Sequence, residues 1–440
     1  MGRGGRGGRR GHGGAMLKRI AIVVQRCGPD VVGGSEGYAL RMARVLASSF
    51  DVDVVTTTAK DYITWENFYP EGEERVSDTL RVLRFPVDFQ RDPYWHELNR
   101  ILFKKMPLDK FSTLETEARQ KYLKTLEHNP IGLEEEWLKS QGPYSSGLLE
   151  YLRASSKRYD RVVFMTYLYP TTYFGIDSVV EREKVLIVPT LHDEPPVYMK
   201  AFRKYLDYRF LFLTEAEKRL AERVLCGRPG SEVIGFGLDD RSADTVPAYG
   251  GDPYFLYAGR LEEAKGVGEL FDWFARFSKK RPGVRLLTIG GGPMKDFRHA
   301  KIKYLGFLGE EEKLSVMKGA RAFVHPSAYE SLGIVLIESF MMGTPALVNA
   351  RSEVLKDHVN ASGGGLSYCS YAEFEKGLEV LLSDGGLRDT LGKRAREYYL
   401  QNYSMGSYKE RLVSLFEPTP AQTGKGPPEG LRAARLSVIS

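Results

Sequence analysis

From Arg19 onward the sequence alternates short β-branched runs with helical stretches of roughly 10 to 18 residues, which restricts the chain to parallel sheets covered by helices on both faces. A parallel strand needs a long crossover before the next one, and a helix both supplies it and covers the sheet. In the first half, strands are predicted at 20–24, 53–57, 80–85, 161–167, 185–189, 209–214 and 233–236, with an amphipathic helix at 35–48. A second series follows at 254–258, 284–289, 302–305, 322–325 and 346–348, with helices near 267–279, 311–320 and 334–342. The expected fold class is α/β, with two doubly wound Rossmann-like domains facing each other across a cleft. Ligands of open α/β sheets bind beyond the carboxyl ends of the strands, so the cleft is the expected site.

The 440 residues exceed the roughly 100 to 200 of a single domain. ADTVPAYGGDP, residues 243–253, has the Pro and Gly punctuation of a linker between a first domain, 16–242, and a second, 254–403. Between 88 and 142 the alternation gives way to charged helical sequence, which reads equally as a wall of the cleft and as a solvated lid. Residues 417–440 read as a loose Pro- and Gly-rich tail. Residues 1–15 are mostly Gly and Arg; they read as upstream sequence ahead of Met16, the alternative being an RNA-binding arm whose arginines contact phosphates.

Of the net charge of +6, Arg3, Arg6, Arg9 and Arg10 contribute four, leaving +2 on the rest. Charge so dispersed gives no electrostatic case for nucleic acid as the main partner. Cys27, Cys226 and Cys369 are far apart without CxxC spacing, which argues against a disulfide framework or a zinc cluster and fits a reducing cytosol. No apolar run approaches the roughly 18 residues of a membrane span, and MGRGGRGGRRGHGGAM lacks the apolar core of a secretory signal. The expected protein is cytoplasmic and contacts a membrane at most peripherally.

Two motifs carry chemistry. YESLGIVLIE, residues 329–338, sets Glu330 and Glu338 eight positions apart across a predicted strand-to-helix turn at Gly333. The amides of Leu332, Gly333 and Ile334 would open that helix, where unpaired N–H groups and the helix dipole favour a phosphate. One carboxylate could meet a sugar hydroxyl and the other a ribose diol; equally, they read as a solvated loop Glu and a structural helix Glu. YAGRLEEAKG, residues 257–266, places Arg260 and Lys265 at the edge of the same sheet, where a departing diphosphate needs charge neutralisation. The alternative is a surface pair balancing Glu262 and Glu263.

With GGSEG at 33–37, HD at 192–193, GRLEEAKG at 259–266, IGGGP at 289–293 and HPSAYESLG at 325–333, residues 18–416 resemble the family 4 glycosyltransferases of the GT-B fold. The resemblance implies a retaining, metal-independent transfer from a nucleoside diphosphate sugar, with no further cofactor, to an acceptor in the first domain. It implies that Arg260 and Lys265 grip the donor diphosphate, Glu338 holds the ribose, Glu330 contacts the sugar and His192 lines the sugar site. Gly34 would let the first loop approach the diphosphate, and Gly306, Phe307 and Leu308 would meet the base. It further implies that a last amphipathic helix, 404–416, crosses back onto the first domain. VIGFGLD at 233–239 lacks the Asn common in that turn, and Leu332 stands where an aromatic is frequent. The remaining readings are a nucleotide-sugar epimerase of the same shape and RNA binding through the first fifteen residues.

Three lookalikes carry no function. Asp51-Val52-Asp53 imitates a metal-binding DxD but leads into a buried strand. Gly290-x-Gly292 continues to Lys295 where a dinucleotide fingerprint needs Gly. His325, before Pro326 at a strand end, reads as a packed histidine.

Overall fold

The structure, a computed structural model, describes residues 18–417 apart from 32, 107–110, 112–113, 226, 228–229 and 249–250. The Gly/Arg stretch 1–15 and the tail beyond 417 lie outside the described residues.

The first sheet comprises β1 (Arg19–Val23), β2 (Asp51–Thr57), β3 (Gly72–Arg75), β4 (Leu80–Phe85), β5 (Arg161–Met165), β6 (Val185–Val188), β7 (Arg209–Phe212) and β8 (Ser231–Val233). Their order is β3-β4-β2-β1-β5-β6-β7-β8, parallel throughout except for β3, which pairs antiparallel with β4. The second sheet comprises β9 (Tyr254–Ala258), β10 (Arg285–Ile289), β11 (Ile302–Gly306), β12 (Phe323–His325), β13 (Ala346–Asn349) and β14 (Gly365–Tyr368), in the order β11-β10-β9-β12-β13-β14. Both are doubly wound, and each has a switch point where the chain leaves a central strand in one direction and later returns on its other side. These points lie between β1 and β5 and between β9 and β12.

The central strands are apolar on both faces because helices cover both. In β1, Ile20 and Ile22 pack with the helix Gly34–Leu46, whose Tyr38, Met42 and Leu46 form one stripe, while Ala21 and Val23 join Phe164 and Ile187 on the opposite side.

The final strand of the first sheet lies earlier than predicted. Residues 231–233 form it, because Gly235 adopts φ +64° and ends the extended run that Ile234 and Phe236 suggest. β3, β14 and the helices Glu353–Ser362, Tyr371–Ser383 and Gly385–Asn402 were not predicted.

Leu238 and Ser404 form an isolated parallel bridge, with Leu238 N–H donating to Tyr403 O at 2.8 Å and Met405 N–H to Leu238 O at 3.0 Å. From there the helix Met405–Phe416 runs against Gly34–Leu46. The Tyr408 hydroxyl donates to the Tyr38 hydroxyl at 3.0 Å, and the Phe416 and Phe50 ring centroids are 6.3 Å apart.

Candidate functional site

The loops leaving β9 and β12 meet at the second switch point. Gly266 adopts φ +71°, and a Cβ there would lie 2.5 Å from the Pro326 carbonyl oxygen, so only glycine lets the two loops close together. That approach brings Lys265 to Glu330, with Nζ to Oε1 at 2.6 Å. Burial raises the Glu330 pKa, but the neighbouring His325 and Lys265 outweigh it and hold the carboxyl below its ordinary value. His325 Nε2 stands 3.7 Å from Glu330 Oε1. Burial, opposed by Glu330, pushes that imidazole down to about 4. Near neutral pH it is therefore uncharged, and Lys265 is the close cation that keeps Glu330 ionised. His325 is packed as the sequence suggested, and it also borders the site.

His192 faces this pair from the first domain. It lies exposed after β6, with both Glu330 and Glu194 within its electrostatic reach. Two anchors hold its loop. Glu217 accepts the Leu191 N–H at 2.8 Å and the Leu213 N–H at 2.7 Å; burial outweighs these bonds and pushes its carboxyl up to about 7. From the insertion, Arg119 on the helix Thr116–Leu126 pairs with Asp193 and donates to the Tyr198 hydroxyl at 3.2 Å. The insertion thus braces the His192-Asp193 turn.

The helix Ile334–Met341 begins at Gly333, which adopts φ +66°, and no side chain caps it. Its dipole and first amides face the turn that carries Glu330. The preceding carbonyl, Leu332 O, accepts a bond from His358 Nε2 at 3.1 Å, while His358 Nδ1 lies 3.1 Å from the Tyr398 hydroxyl. A carbonyl only accepts, so Nε2 carries the proton and Nδ1 accepts from Tyr398. Burial pushes His358 down to about 4, which keeps this tautomer neutral. Glu338 lies one turn into the helix, with both carboxylate oxygens 2.7 Å from Lys313 Nζ. Lys313 is on the helix Glu310–Gly319, which follows Gly306, Phe307 and Leu308. Phe307 is 85% exposed and its ring lies against Gly291, bringing the loops after β10 and β11 together.

Two expected members stand apart from this cluster. Arg260 pairs with Glu262 at 3.1 Å, and its side chain is 68% exposed. Gly34 heads its helix in the first domain with open space where a Cβ would project. Asp53 is buried, bonded by Arg81 at 2.8 Å through both oxygens and by the Tyr159 hydroxyl at 2.8 Å, which leaves the DxD lookalike a structural role. Sequence reasoning missed Lys313, His358, Glu217 and Arg119. For Glu217 a signal existed: Thr214 and Glu217 have capping-box spacing, and the Thr214 side chain accepts the Glu217 N–H.

Residues 240–398, which include both loops and the uncapped helix, match the family model described as Glycosyl transferases group 1. This segment is a glycosyl transferases group 1 domain. An uncharacterized glycosyltransferase of Methanocaldococcus jannaschii is 27% identical over 183 residues, 39% of this chain and 46% of that protein. The lipopolysaccharide core biosynthesis glycosyltransferase LpsE of Rhizobium meliloti is 29% identical over 190 residues, 41% of this chain and 54% of that one. The chain thus spans about half the length of these curated relatives. The group 1 domain and the first domain together share a fold with sucrose-phosphate synthase from Thermosynechococcus elongatus, with a TM-score of 0.62 and 18% identity over 91% of this chain and 98% of that one. The fold is GT-B.

Proposed function

We propose that the protein is a retaining, metal-independent glycosyltransferase of family 4, moving a sugar from a nucleoside diphosphate to a hydroxyl of a glycan, lipid-linked or small-molecule acceptor. The donor occupies the group 1 domain and the acceptor the first domain. The observation that carries this reading is the Lys265–Glu330 pair, set at the switch point beside an uncapped helix N-terminus.

In this reading Lys265 neutralises charge on the departing diphosphate, together with the amides before Ile334 and with Arg260 once it leaves Glu262. Glu338, steadied by Lys313, accepts the ribose hydroxyls. Glu330 contacts the donor sugar and His192 lines it from the opposite domain. The bond between the anomeric carbon and the β-phosphate oxygen breaks, the acceptor oxygen bonds to that carbon on the same face, and its proton passes to the phosphate. Among the described residues no helix is long and apolar enough to cross a membrane, and a cytoplasmic setting with at most peripheral membrane contact is part of the proposal.

Incubation with labelled nucleotide sugars tests it. Sugar transfer, or slow hydrolysis without acceptor, is the expected result. Inversion at C2 of the sugar without transfer would overturn the reading.

A further inference from the structure

We infer that a basic pocket at the amino ends of the second sheet's strands binds a phosphate-bearing small molecule. Lys318 and Arg321 lie on the segment entering β12, and Gly343 and Thr344 precede β13, so this pocket is at the edge opposite Glu330. The helix Gly385–Asn402 borders it with Arg388, Lys393 and Arg396, leaving an open cavity of about 620 Å³. Small-molecule sites commonly have volumes of roughly 300 to 1,000 Å³.

Five cations line this cavity against two acids, Asp389 and Glu397. Lys318 Nζ donates to Ser242 O and Thr245 O, each at 2.7 Å, and Arg388 donates to Leu381 O at 3.0 Å and Leu382 O at 3.3 Å. Carbonyl partners satisfy the N–H groups without cancelling the charge. Arg396 has a carboxylate partner, Asp240. Arg321 and Lys393 form no ion pair among the described residues. Arg388 is held below the ordinary guanidinium pKa by burial and then by the positive charge of Arg321. Like charges held together around a concavity favour an anion, and two guanidinium groups suit the planar, bidentate geometry of phosphate oxygens. The volume is that of a small-molecule site, and Asp389 and Glu397, both exposed, stand among the cations, so the occupant inferred is a soluble phosphorylated molecule.

The test is thermal unfolding of the full chain with inorganic phosphate and pyrophosphate up to about 10 mM, because a ligand selective for the native state raises the melting temperature. The cleft also binds phosphate in the proposed function, so two double variants separate the sites. The expected result is a saturable rise that persists in Arg260→Ala/Lys265→Ala and falls by at least half in Arg321→Ser/Lys393→Ser, while the latter keeps its response to nucleoside diphosphate. Arg321→Lys/Lys393→Arg should restore the phosphate response, which distinguishes a lost site from a damaged fold. No rise in the wild type, a rise indifferent to Arg321 and Lys393, or binding confined to phosphatidylglycerol vesicles would overturn the inference. A rise lost solely in the cleft variant would overturn it while leaving the proposed function standing.

Discussion

Lys265 Nζ lies 2.6 Å from Glu330 Oε1, joining residues 65 positions apart across the switch point of the second sheet. Neither loop makes the site alone. The β9 loop supplies the cation and the β12 loop supplies the carboxylate and the helix.

Replacing Lys265 by Ala should lower turnover by roughly 10²-fold or more, the scale for losing a charged group at a leaving group. It should also move the acidic limb of the pH–rate profile to higher pH. The cation now lowers the Glu330 pKa against burial, and its loss lets burial raise the pKa. The pH dependence of kcat in both proteins reads this directly, and an unmoved limb would show that Glu330 ionisation does not govern the rate.

Arg260→Ala should cost a similar factor of about 10², although the side chain now rests on Glu262. Arg260→Lys should remain impaired, since an ammonium cannot reproduce a guanidinium fork. Near-normal turnover of the Ala variant at saturating donor would remove Arg260 from the diphosphate.

Acid should weaken the fold through its buried histidines. His325 and His358 are held at about 4, against an unfolded value of about 6.5. Between those values the unfolded chain binds more protons, so their contribution to stability is lost as pH falls from about 6.5 to 4. Glu217 acts in the opposite sense: its carboxyl, raised to about 7, favours the fold as pH drops towards its ordinary value. Glu134 and Glu194, which burial also raises, act with Glu217, so the histidine contribution is read from a variant rather than from the net slope. Urea midpoints of the wild type and His358→Gln across this window should differ in slope by about one proton. An unchanged slope would mean that His358 is protonated in the fold.

The architecture was legible where burial imposes a pattern. β9, with all five residues buried, and β4 fall at their predicted limits. β3 was not legible because GEER is exposed throughout and has no apolar face; it pairs with β4 and its glutamates meet Arg81 and Arg84. In the site, Glu330 and Lys265 stood out because each belongs to a turn with a glycine that the backbone requires. Lys313 did not, since EEEK at the start of a helix looks like ordinary surface, and only the neighbouring helix brings it to Glu338. His358 acts from a helix whose sequence has no sign of the carbonyl it holds.

The last helix should stabilise the first domain. Phe416 is 2% exposed and packs with Phe50. Phe416→Ala should cost about 3 to 5 kcal/mol, the range for deleting a buried aromatic ring. Denaturant unfolding measures it, and a loss under about 1 kcal/mol would show that this contact contributes little.

The central claim is tested most directly by calorimetry with UDP, GDP and ADP on the wild type, Glu338→Gln and Glu330→Gln. The account predicts that the wild type binds at least one of them. Glu338→Gln should weaken that nucleotide by roughly 10- to 100-fold, corresponding to charged hydrogen bonds worth about 1.5 to 3 kcal/mol. Glu330→Gln should bind it normally and lose turnover with the nucleotide sugar instead. Failure of all three nucleotides to bind the wild type, or equal loss in both variants, would contradict the account.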